Sequence, residues 1–354
     1  MRRRTLLTGV VGLAAGCGAA AWIARRNAGR AVTWMPSAGT VPGMRFRSFG
    51  RTGVKVSEVG FGSWGIGGQG YGAVDKQESL RALARAEELG CNVVDSAQVY
   101  GDAEVTLGEF LQGRRARWFV ATKFSGQPAG MKATLEDQLR RLRTEAIDLY
   151  QLHWVPRGKD EVLFDELARL KQSGKTRFIG VSLYTAEDID YVLARPAIDA
   201  FQVAFSLLDP DPFLARVSAI HASGKAVIVR SALREGFLTG KFKRDATFPD
   251  PNDQRHALTA QQIAATVDQV EHFRYLEKEA GSMAVAAARY PLSFADVSTV
   301  ILGTKSVRQA NSNFGEVAGG TLSRASLDAV RSTQIALSLG SPWRRTLRRW
   351  NLAS

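Results

Sequence analysis

The chain has 354 residues and a mass of 38.5 kDa, and its 45% hydrophobic and 23% charged residues exclude wholesale disorder. The two cysteines, Cys17 and Cys91, exclude a disulfide framework, a four-cysteine zinc site and a cysteine-ligated iron–sulfur cluster. The four histidines show no metal-ligand spacing, so we expect no metal site.

The net charge of +13 is concentrated at the two ends of the chain. Residues 1–43 contain six arginines and residues 341–354 contain four, and neither segment has an acidic residue. Without these arginines the remainder carries only +3, with no basic helix or groove standing out. A nucleic-acid-binding domain gathers its basic residues on one face of the fold. The charge distribution therefore argues against a nucleic-acid partner.

The amino-terminal segment has the pattern of a signal sequence or a membrane anchor. Arginines at 2–4 and 25–26 flank an uncharged, Gly/Ala-rich run over 6–24. The segment RRRTLLTG resembles a twin-arginine export signal, and AAGC, ending at Cys17, resembles a lipoprotein acylation site. The alternative is an uncleaved anchor, because nineteen uncharged residues can span a bilayer core of about 30 Å. We expect residues 1–30 to cause export or membrane association, with the cytoplasmic face still open.

From residue 44 onward, short apolar runs rich in β-branched and aromatic residues alternate with helical patterns. These runs predict eight strands, at 59–64, 92–97, 118–124, 147–153, 177–183, 200–206, 225–232 and 298–304. They alternate little between polar and apolar residues, which is typical of parallel strands buried on both faces. Such strands can form a doubly wound open sheet or a closed barrel, and the number eight favours a (β/α)8 TIM barrel.

Local signals define the neighbouring elements. Residues 44–57 predict a β-hairpin before the first barrel strand. Residues 75–90 show helical periodicity that ends at Gly90, and Thr134 with Asp137 and Thr185 with Asp188 are signals for helix N-termini. The predicted organisation is a signal or anchor at 1–30, a linker at 31–43, a barrel at 44–340 and a basic tail at 341–354.

One glycine-rich segment imitates a dinucleotide-binding loop. GIGGQG at 65–70 matches GxGxxG and follows a predicted strand. In a Rossmann fold the last glycine opens a helix whose N–H groups meet the pyrophosphate, whereas here four residues intervene before helical character begins at Asp75. We interpret the segment as a glycine loop at the barrel mouth.

The tail at 341–354 predicts a short amphipathic helix. Trp343, Leu347 and Trp350 would share one face, and the arginines would occupy the other. Such a helix could dock on the barrel or lie on an anionic membrane surface, and both interpretations stay open.

Four polar residues stand near the carboxyl ends of consecutive predicted strands, where eight-stranded α/β barrels have their active sites. They are Asp95, Tyr100, Lys123 and His153. A lysine ammonium favours the phenolate of a nearby tyrosine, so we expect Lys123 to lower the pKa of Tyr100 below its usual value near 10. Asp95 would keep Lys123 charged, and His153 could hydrogen-bond a substrate carbonyl.

Each of these four residues, taken alone, could be structural, as a buried ion pair or a core histidine often is. Together they could polarise a carbonyl group and protonate the resulting alkoxide. They supply no electrons, so this chemistry requires a reducing cofactor.

Longer motifs resemble those of the aldo-keto reductase superfamily over about 44–340. They are GRTGVKVSEVGFGSWGIGG (50–68), NVVDSAQVYGDAE (92–104), VATKF (120–124), DLYQLHW (148–154), GKTRFIGVS (174–182), REGFLTGKF (234–242) and ILGTKS (301–306). The resemblance implies an oxidoreductase acting on CH–OH donors, which uses NADPH to reduce an aldehyde or ketone to an alcohol. It assigns the catalytic tetrad to Asp95, Tyr100, Lys123 and His153, with Tyr100 as general acid.

The resemblance also implies a cofactor site. Its residues would be Gly62, Ser63, Ser182, Gln202, Arg230, Gly303, Lys305, Gln309 and Asn313. Lys305 matches the cation that meets the 2′-phosphate, which favours NADPH over NADH. Arg230 replaces the aromatic residue that stacks on the nicotinamide, although a planar guanidinium can stack too. Trp64 and Trp154 match residues that line the substrate pocket.

Two other functions remain open from the sequence. Leu183 stands where the family has a carboxamide-binding asparagine, and this departure is compatible with a nicotinamide-nucleotide-binding sensor or regulatory subunit with little turnover. The basic ends are compatible with a membrane-surface scaffold that binds no cofactor. The small-molecule carbonyl substrate is not identified, because substrate loops such as 242–258 vary freely on this fold.

Overall fold

The structure is a computed structural model that describes residues 43–68 and 70–339. The predicted signal or anchor at 1–30, the linker at 31–43 apart from its last residue, and the basic tail at 341–354 lie outside the described residues. Within the described ranges, no helix is both long enough and apolar enough to cross a membrane.

The described chain forms a short hairpin and a closed parallel barrel with helices around it. The hairpin strands are β1 (Phe46–Ser48) and β2 (Lys55–Ser57), paired antiparallel. The barrel strands are β3 (Val59–Gly62), β4 (Val93–Asp95), β5 (Phe119–Phe124), β6 (Ile147–Leu152), β7 (Thr176–Leu183), β8 (Ala200–Ala204), β9 (Ala226–Arg230) and β10 (Thr299–Gly303). Each strand pairs with the next, and β10 closes the barrel on β3.

Helices follow the strands around the outside of the barrel. They are α1 (Lys76–Glu88), α2 (Ala103–Phe110), α3 (Met131–Arg141), α4 (Val162–Gln172), α5 (Ala186–Leu193), α6 (Val217–Ser223), α7 (Ala260–Glu271), α8 (Glu277–Ala280), α9 (Met283–Leu292), α10 (Val307–Ala310) and α11 (Arg324–Ala336). Short 3-10 turns lie at Ser63–Ile66, Arg115–Arg117, Pro128–Gly130, Gly158–Glu161, Leu214–Arg216, Arg234–Thr239, Gln254–Ala257 and Arg274–Leu276, and a π-helical turn spans Asn311–Glu316.

The (β/α)8 TIM barrel and its eight strands are confirmed. The strands are almost continuously buried, as expected where side chains fill the barrel on one face and pack under helices on the other. The hairpin is confirmed as well. Its fully buried Phe49 covers the amino-terminal end of the barrel, where its ring centre lies 4.7 Å from that of Phe119 and 6.1 Å from that of Phe178.

Two of the three predicted helix starts are confirmed. Asp75 caps α1 by accepting a hydrogen bond from Gln77 N at 2.8 Å, and Thr185 and Asp188 form a capping box for α5. The prediction that Thr134 starts a helix is wrong. A 3-10 turn that begins at Pro128 runs directly into α3, so Thr134 lies inside the helix.

Candidate active site

The carboxyl ends of β4, β5 and β6 bring the four predicted catalytic residues together, as the sequence suggested. The Lys123 ammonium forms an ion pair with Asp95 and donates to Ser96 O at 2.8 Å. Both side chains of the pair are almost wholly buried. Burial would lower the pKa of Lys123, but Asp95 and then Tyr100 outweigh it, so the pKa is raised. Asp95 therefore keeps Lys123 charged.

Two glutamines hold the other carboxylate oxygen of Asp95. Gln202 donates from Nε2 to Asp95 Oδ1 at 2.8 Å, and Gln151 does so at 3.3 Å. Sequence reasoning missed Gln151, although it lies within the DLYQLHW motif, because an isolated glutamine in an apolar strand does not reveal its partner. The two amides orient Asp95 so that its second oxygen faces Lys123.

Tyr100 lies in the loop between β4 and α2, beside Lys123 and His153. The Lys123 ammonium is 5.1 Å from the centre of the Tyr100 ring, and the rings of Tyr100 and His153 are 5.9 Å apart between centres. The glycine loop fixes this position, because Gly67 lies against the backbone of Tyr100. A Cβ at Gly67 would come within 1.9 Å of Tyr100 O, so no larger residue fits there.

The expected lowering of the Tyr100 pKa is wrong in its net direction. Loss of water around the phenol raises the pKa of Tyr100 more than Lys123 lowers it, and Asp95 raises it further. Lys123 thus lowers the pKa of Tyr100 as predicted, but its effect is smaller than that of burial. The phenol keeps its proton at neutral pH, which is the form that a general acid requires.

His153 follows β6 directly. Its backbone N–H continues the strand ladder by donating to Phe124 O at 3.0 Å, and Ser125 Oγ lies 2.9 Å from its Nδ1. Burial, followed by the charges of Lys123 and Arg230, lowers the pKa of His153 to about 3. The imidazole is therefore neutral at physiological pH and can hydrogen-bond an uncharged carbonyl oxygen.

Two tryptophans lie near the predicted catalytic residues, and the glycine loop packs against one of them. The Trp64 ring lies 4.7 Å from that of Tyr100 between centres, and Trp154, next to His153, packs near Phe124. Gly70, with φ of +87°, lies so close to Trp64 that a Cβ would approach its Nε1 to 2.1 Å. The glycines here serve close packing around the pocket.

The glycine loop is tied to the predicted substrate loop at 242–258. Gly70 N donates to Asn252 O at 2.9 Å, and Gln254 N donates to Gly70 O at 2.9 Å. Lys305 also contacts this region, because its ammonium donates to Tyr71 O at 3.0 Å. Two segments far apart in the sequence therefore form one cover beside the mouth.

The strands β7 to β9 carry three of the predicted cofactor residues on the inner face of the barrel. Ser182 and Gln202 are register partners, and Arg230 is two residues beyond the β9 partner of Gln202, so all three share one face. Ser182 Oγ is buried and has no hydrogen-bond partner within the described part of the chain. Leu183, one residue further, offers only its backbone.

Around β3 and β10, the predicted cofactor residues border the same end of the barrel. Gly62 and Gly303 are register partners, and a Cβ at Gly62 would lie 3.3 Å from the Leu302 backbone. Ser63 Oγ, next along the chain, is buried and also lacks a hydrogen-bond partner among residues 43–68 and 70–339. Two unsatisfied hydroxyls near the mouth suit a ligand with hydrogen-bonding groups.

The turn after β10 gathers the remaining predicted cofactor residues. Gln309 accepts from Lys305 N at 2.8 Å, and Asn313 donates to Thr304 Oγ1 at 2.8 Å and to Gly303 O at 3.3 Å. These bonds fix the backbone that presents the Lys305 side chain.

Other cations lie near Lys305, and the sequence analysis did not group them together. We call Lys241, Lys305 and Arg308 the cation cluster. The pKa of Lys241 is lowered by burial and then by the charges of Arg255, Arg308 and Lys305. Lys241 lies in the REGFLTGKF motif and Arg308 directly precedes Gln309, but only the fold shows that they are neighbours. This cation cluster suits a phosphate group.

Comparisons with other proteins agree with this arrangement. The sequence profile of the Aldo/keto reductase family matches residues 58–335. The aldo-keto reductase str7 of Strobilurus tenacellus is 32% identical over 282 residues, which cover 73% of this chain and 84% of str7. The aldo-keto reductase yakc [NADP(+)] of Schizosaccharomyces pombe is 28% identical, over 73% of this chain and 83% of its own.

Among solved structures, the chain is similar to the glycerol dehydrogenase AKR11B4 from Gluconobacter oxydans. The TM-score is 0.70 at 28% identity, over 86% of this chain and 98% of that one. With a family profile that spans most of its length, a related sequence above 30% identity and the same barrel, this chain is an oxidoreductase that belongs to the aldo/keto reductase family.

Proposed function

We propose that this protein reduces an aldehyde or ketone to an alcohol with NADPH, and that Tyr100 is the general acid. The observation that carries the proposal is the cluster of Tyr100, the Lys123–Asp95 ion pair and neutral His153 at the open end of the barrel. When bound, a nicotinamide dinucleotide supplies the hydride that these residues lack.

The proton side of the reaction follows from the four residues. The neutral imidazole of His153 donates a hydrogen bond to the substrate oxygen. This hydrogen bond polarises the carbonyl group. Tyr100 holds its proton until negative charge develops on that oxygen, and then transfers it. Lys123 stabilises the phenolate that remains, and Asp95 balances Lys123 and fixes its position.

Several residues of this chain are suited to hold the cofactor. The hydroxyl of Ser182, which has no hydrogen-bond partner among the described residues, and the amide of Gln202 face the lumen, where they could bind the carboxamide, and Arg230 lies at the same mouth. Gly62 and Ser63 border the same opening. For the adenosine end of the cofactor, Gly303, Gln309 and Asn313 shape the turn that presents Lys305.

NADPH is preferred over NADH in this proposal because of the cation cluster. Lys305, with Lys241 and Arg308 nearby, would neutralise a 2′-phosphate that NADH does not have. The printed name of the relative yakc includes NADP(+), which is consistent with this preference but concerns that protein.

The experiment is a turnover assay on the purified barrel domain. We expect NADPH oxidation to depend on an added aldehyde, with one alcohol formed per NADPH consumed. NADPH that binds tightly but is not oxidised with any of a broad panel of aldehydes and ketones would contradict reductase activity. That result would favour a nucleotide-binding sensor, the alternative suggested by Leu183, whose side chain cannot bind a carboxamide.

From the sequence alone, we further propose export or membrane association through residues 1–30, assisted by 341–354. The supporting features are the flanking arginines and the uncharged run between them. Cell fractionation together with amino-terminal sequencing of the mature protein tests this proposal. An uncleaved chain found wholly in the cytosolic fraction would contradict it.

A further inference from the structure

Ser125 lies beside His153 because the two residues continue neighbouring barrel strands. Phe124 and Leu152 are the last register partners of β5 and β6, and His153 N donates to Phe124 O at 3.0 Å. Ser125 and His153 follow these partners directly. Since alternate residues of a strand share a face, Ser125 is on the face that carries Lys123. The fold therefore places the serine hydroxyl next to the imidazole.

One hydrogen bond joins the two side chains. Ser125 Oγ lies 2.9 Å from His153 Nδ1. Among residues 43–68 and 70–339, neither the hydroxyl nor the imidazole ring has another hydrogen-bond partner. Nε2 is therefore the ring nitrogen that is left for a ligand.

The backbones of both residues are held in place. Gln98, in the loop after β4, accepts at Oε1 from Ser125 N at 3.0 Å, and its own N–H donates to Lys123 O at 3.1 Å. On the other side, the Tyr184 hydroxyl donates to His153 O at 3.1 Å. These bonds fix the hydroxyl and the ring relative to each other before any ligand binds.

The direction of the hydrogen bond between Ser125 and His153 decides what the ring can donate. A neutral imidazole has one N–H donor and one acceptor nitrogen, and the pKa of His153, lowered to about 3 mainly by burial, makes the ring neutral at physiological pH. If Ser125 donates to Nδ1, the ring proton is on Nε2 and can be donated to a carbonyl oxygen. If Ser125 accepts from Nδ1, the lone pair of Nε2 meets that oxygen, and two acceptors repel each other.

The surroundings favour a serine that donates. A serine that accepted from Nδ1 would leave its own proton without a partner among the described residues, which costs free energy where water is excluded. A serine that donates uses this proton. A carbonyl substrate would then accept the proton on Nε2, so every donor of the pair would have an acceptor.

We propose that Ser125 is a positioning residue, whose hydroxyl donates to Nδ1 of His153 and thereby keeps the ring proton on Nε2 for the substrate carbonyl. Its effect on turnover rests on the reductase function proposed above, whereas the hydrogen bond itself does not. Ser125 acts through His153 and requires no contact with the substrate or with NADPH.

The first experiment locates the ring proton in the full-length protein without substrate. Long-range proton–nitrogen NMR correlation, on protein with isotope-labelled histidine nitrogens, distinguishes the two neutral tautomers, and His153→Gln identifies the signals of His153 among the four histidines. We expect the wild type to carry the proton on Nε2, with Nδ1 accepting a hydrogen bond. Ser125→Ala should show a mixture of both tautomers, and Ser125→Thr, which keeps a hydroxyl, should retain the wild-type pattern.

The wild type alone can overturn the proposal, whether or not the variants fold. A proton on Nδ1 would do so, as would an Nδ1 resonance typical of a nitrogen that accepts no hydrogen bond. An unchanged tautomer in folded Ser125→Ala would also overturn it, because the hydroxyl would then not set the position of the proton.

The second experiment measures what the proton position contributes to turnover. We expect Ser125→Ala to lower the single-turnover rate of aldehyde reduction about tenfold, and to change the Kd of NADPH less than about twofold. Ser125→Thr should restore most of the rate, and Ser332→Ala, at an exposed position on α11, is the control. An unchanged rate in Ser125→Ala, or a loss that the threonine does not restore, would overturn the role in turnover.

Failure of this proposal and failure of the reductase function give different results. The NMR measurement needs no substrate, so a protein that reduced no aldehyde or ketone could still show the proton on Nε2. A protein that reduced aldehydes with the proton of His153 on Nδ1 would overturn the role of Ser125 and support the reductase function.

Discussion

The two ends of the barrel differ in whether their buried charged side chains have partners of opposite charge. At the amino-terminal end, Glu58 accepts hydrogen bonds from Arg45 and Arg47, and from Gly319 N at 2.6 Å. Asp148 there binds Arg115 and Arg177, each at 2.7 Å. At the carboxyl-terminal mouth, the Lys123–Asp95 ion pair stands near Arg230, which has no carboxylate partner among residues 43–68 and 70–339.

This difference separates stability from function. The amino-terminal end satisfies its buried carboxylates completely, as a structural region does, because an unpaired buried charge costs stability. Within the described part of the chain, the mouth leaves the positive charge of Arg230 without a carboxylate, so that a ligand can supply the missing anion. Buried charged residues therefore have different roles at the two ends. Where the protein itself supplies every partner they stabilise the fold, and where a partner is missing they can bind a ligand.

The largest predicted effect is at the mouth. Lys123→Met should lower kcat/KM about a thousandfold, because the phenolate left by Tyr100 loses its neighbouring cation. Kinetics with NADPH and an aldehyde measure this loss, and circular dichroism checks that the fold is retained. Lys159→Met, at an exposed position, is the control. A Lys123→Met enzyme within about tenfold of the wild type would remove Lys123 from the mechanism.

The matching change at the other end should affect stability instead. Asp148→Asn should lower the free energy of unfolding by about 3 kcal/mol, because Arg115 and Arg177 lose their common carboxylate. Urea denaturation measures this change. We expect kcat/KM of the folded variant at 25 °C to stay within about twofold of the wild type. A large loss of activity without loss of stability would contradict the separation of the two ends.

The cation cluster gives a smaller effect. Lys305→Met should raise the Kd of NADPH about tenfold and leave that of NADH nearly unchanged, since only NADPH carries a 2′-phosphate. Fluorescence titration with both nucleotides measures the two constants. Because the Lys305 ammonium also donates to Tyr71 O, equal weakening for both nucleotides would instead indicate a role in holding the loop.

The smallest predicted effect is the change of kcat/KM with pH. His153, with a pKa lowered to about 3, stays neutral above that value, so kcat/KM should show no inflection near its usual pKa of about 6.5. Burial raises the pKa of Tyr100, so activity should fall only in the alkaline range, where the acid loses its proton. An inflection between about pH 6 and 7 that disappears in His153→Gln would contradict a neutral histidine.

The fold could be predicted from the sequence because parallel strands buried on both faces give continuous apolar runs. The convergence of Asp95, Tyr100, Lys123 and His153 could be predicted because the carboxyl ends of such strands share one end of the barrel. Helix starts were less certain. Thr134 has the side chain of an N-cap, but Pro128 starts the turn earlier, and local composition did not decide between them.

Properties that depend on how deeply a side chain is buried, or on contacts between loops far apart in the chain, could not be predicted from the sequence. The sign of the Tyr100 pKa shift depends on how far the phenol is removed from water, which spacing along the chain does not reveal. Gln151 meets Asp95 only across the closed barrel, and Lys241 approaches Lys305 only because two loops meet. Likewise, only the fold shows that no carboxylate in the described part of the chain pairs with Arg230.

The most direct test of proton donation by Tyr100 is single-turnover reduction of an aldehyde by the NADPH complex, in the wild type and in Tyr100→Phe. The account predicts a rate at least about a thousandfold lower in the variant, with the Kd of NADPH unchanged. Tyr275→Phe, which alters an exposed tyrosine, should react at the wild-type rate. Equal rates for Tyr100→Phe and the wild type would contradict the account.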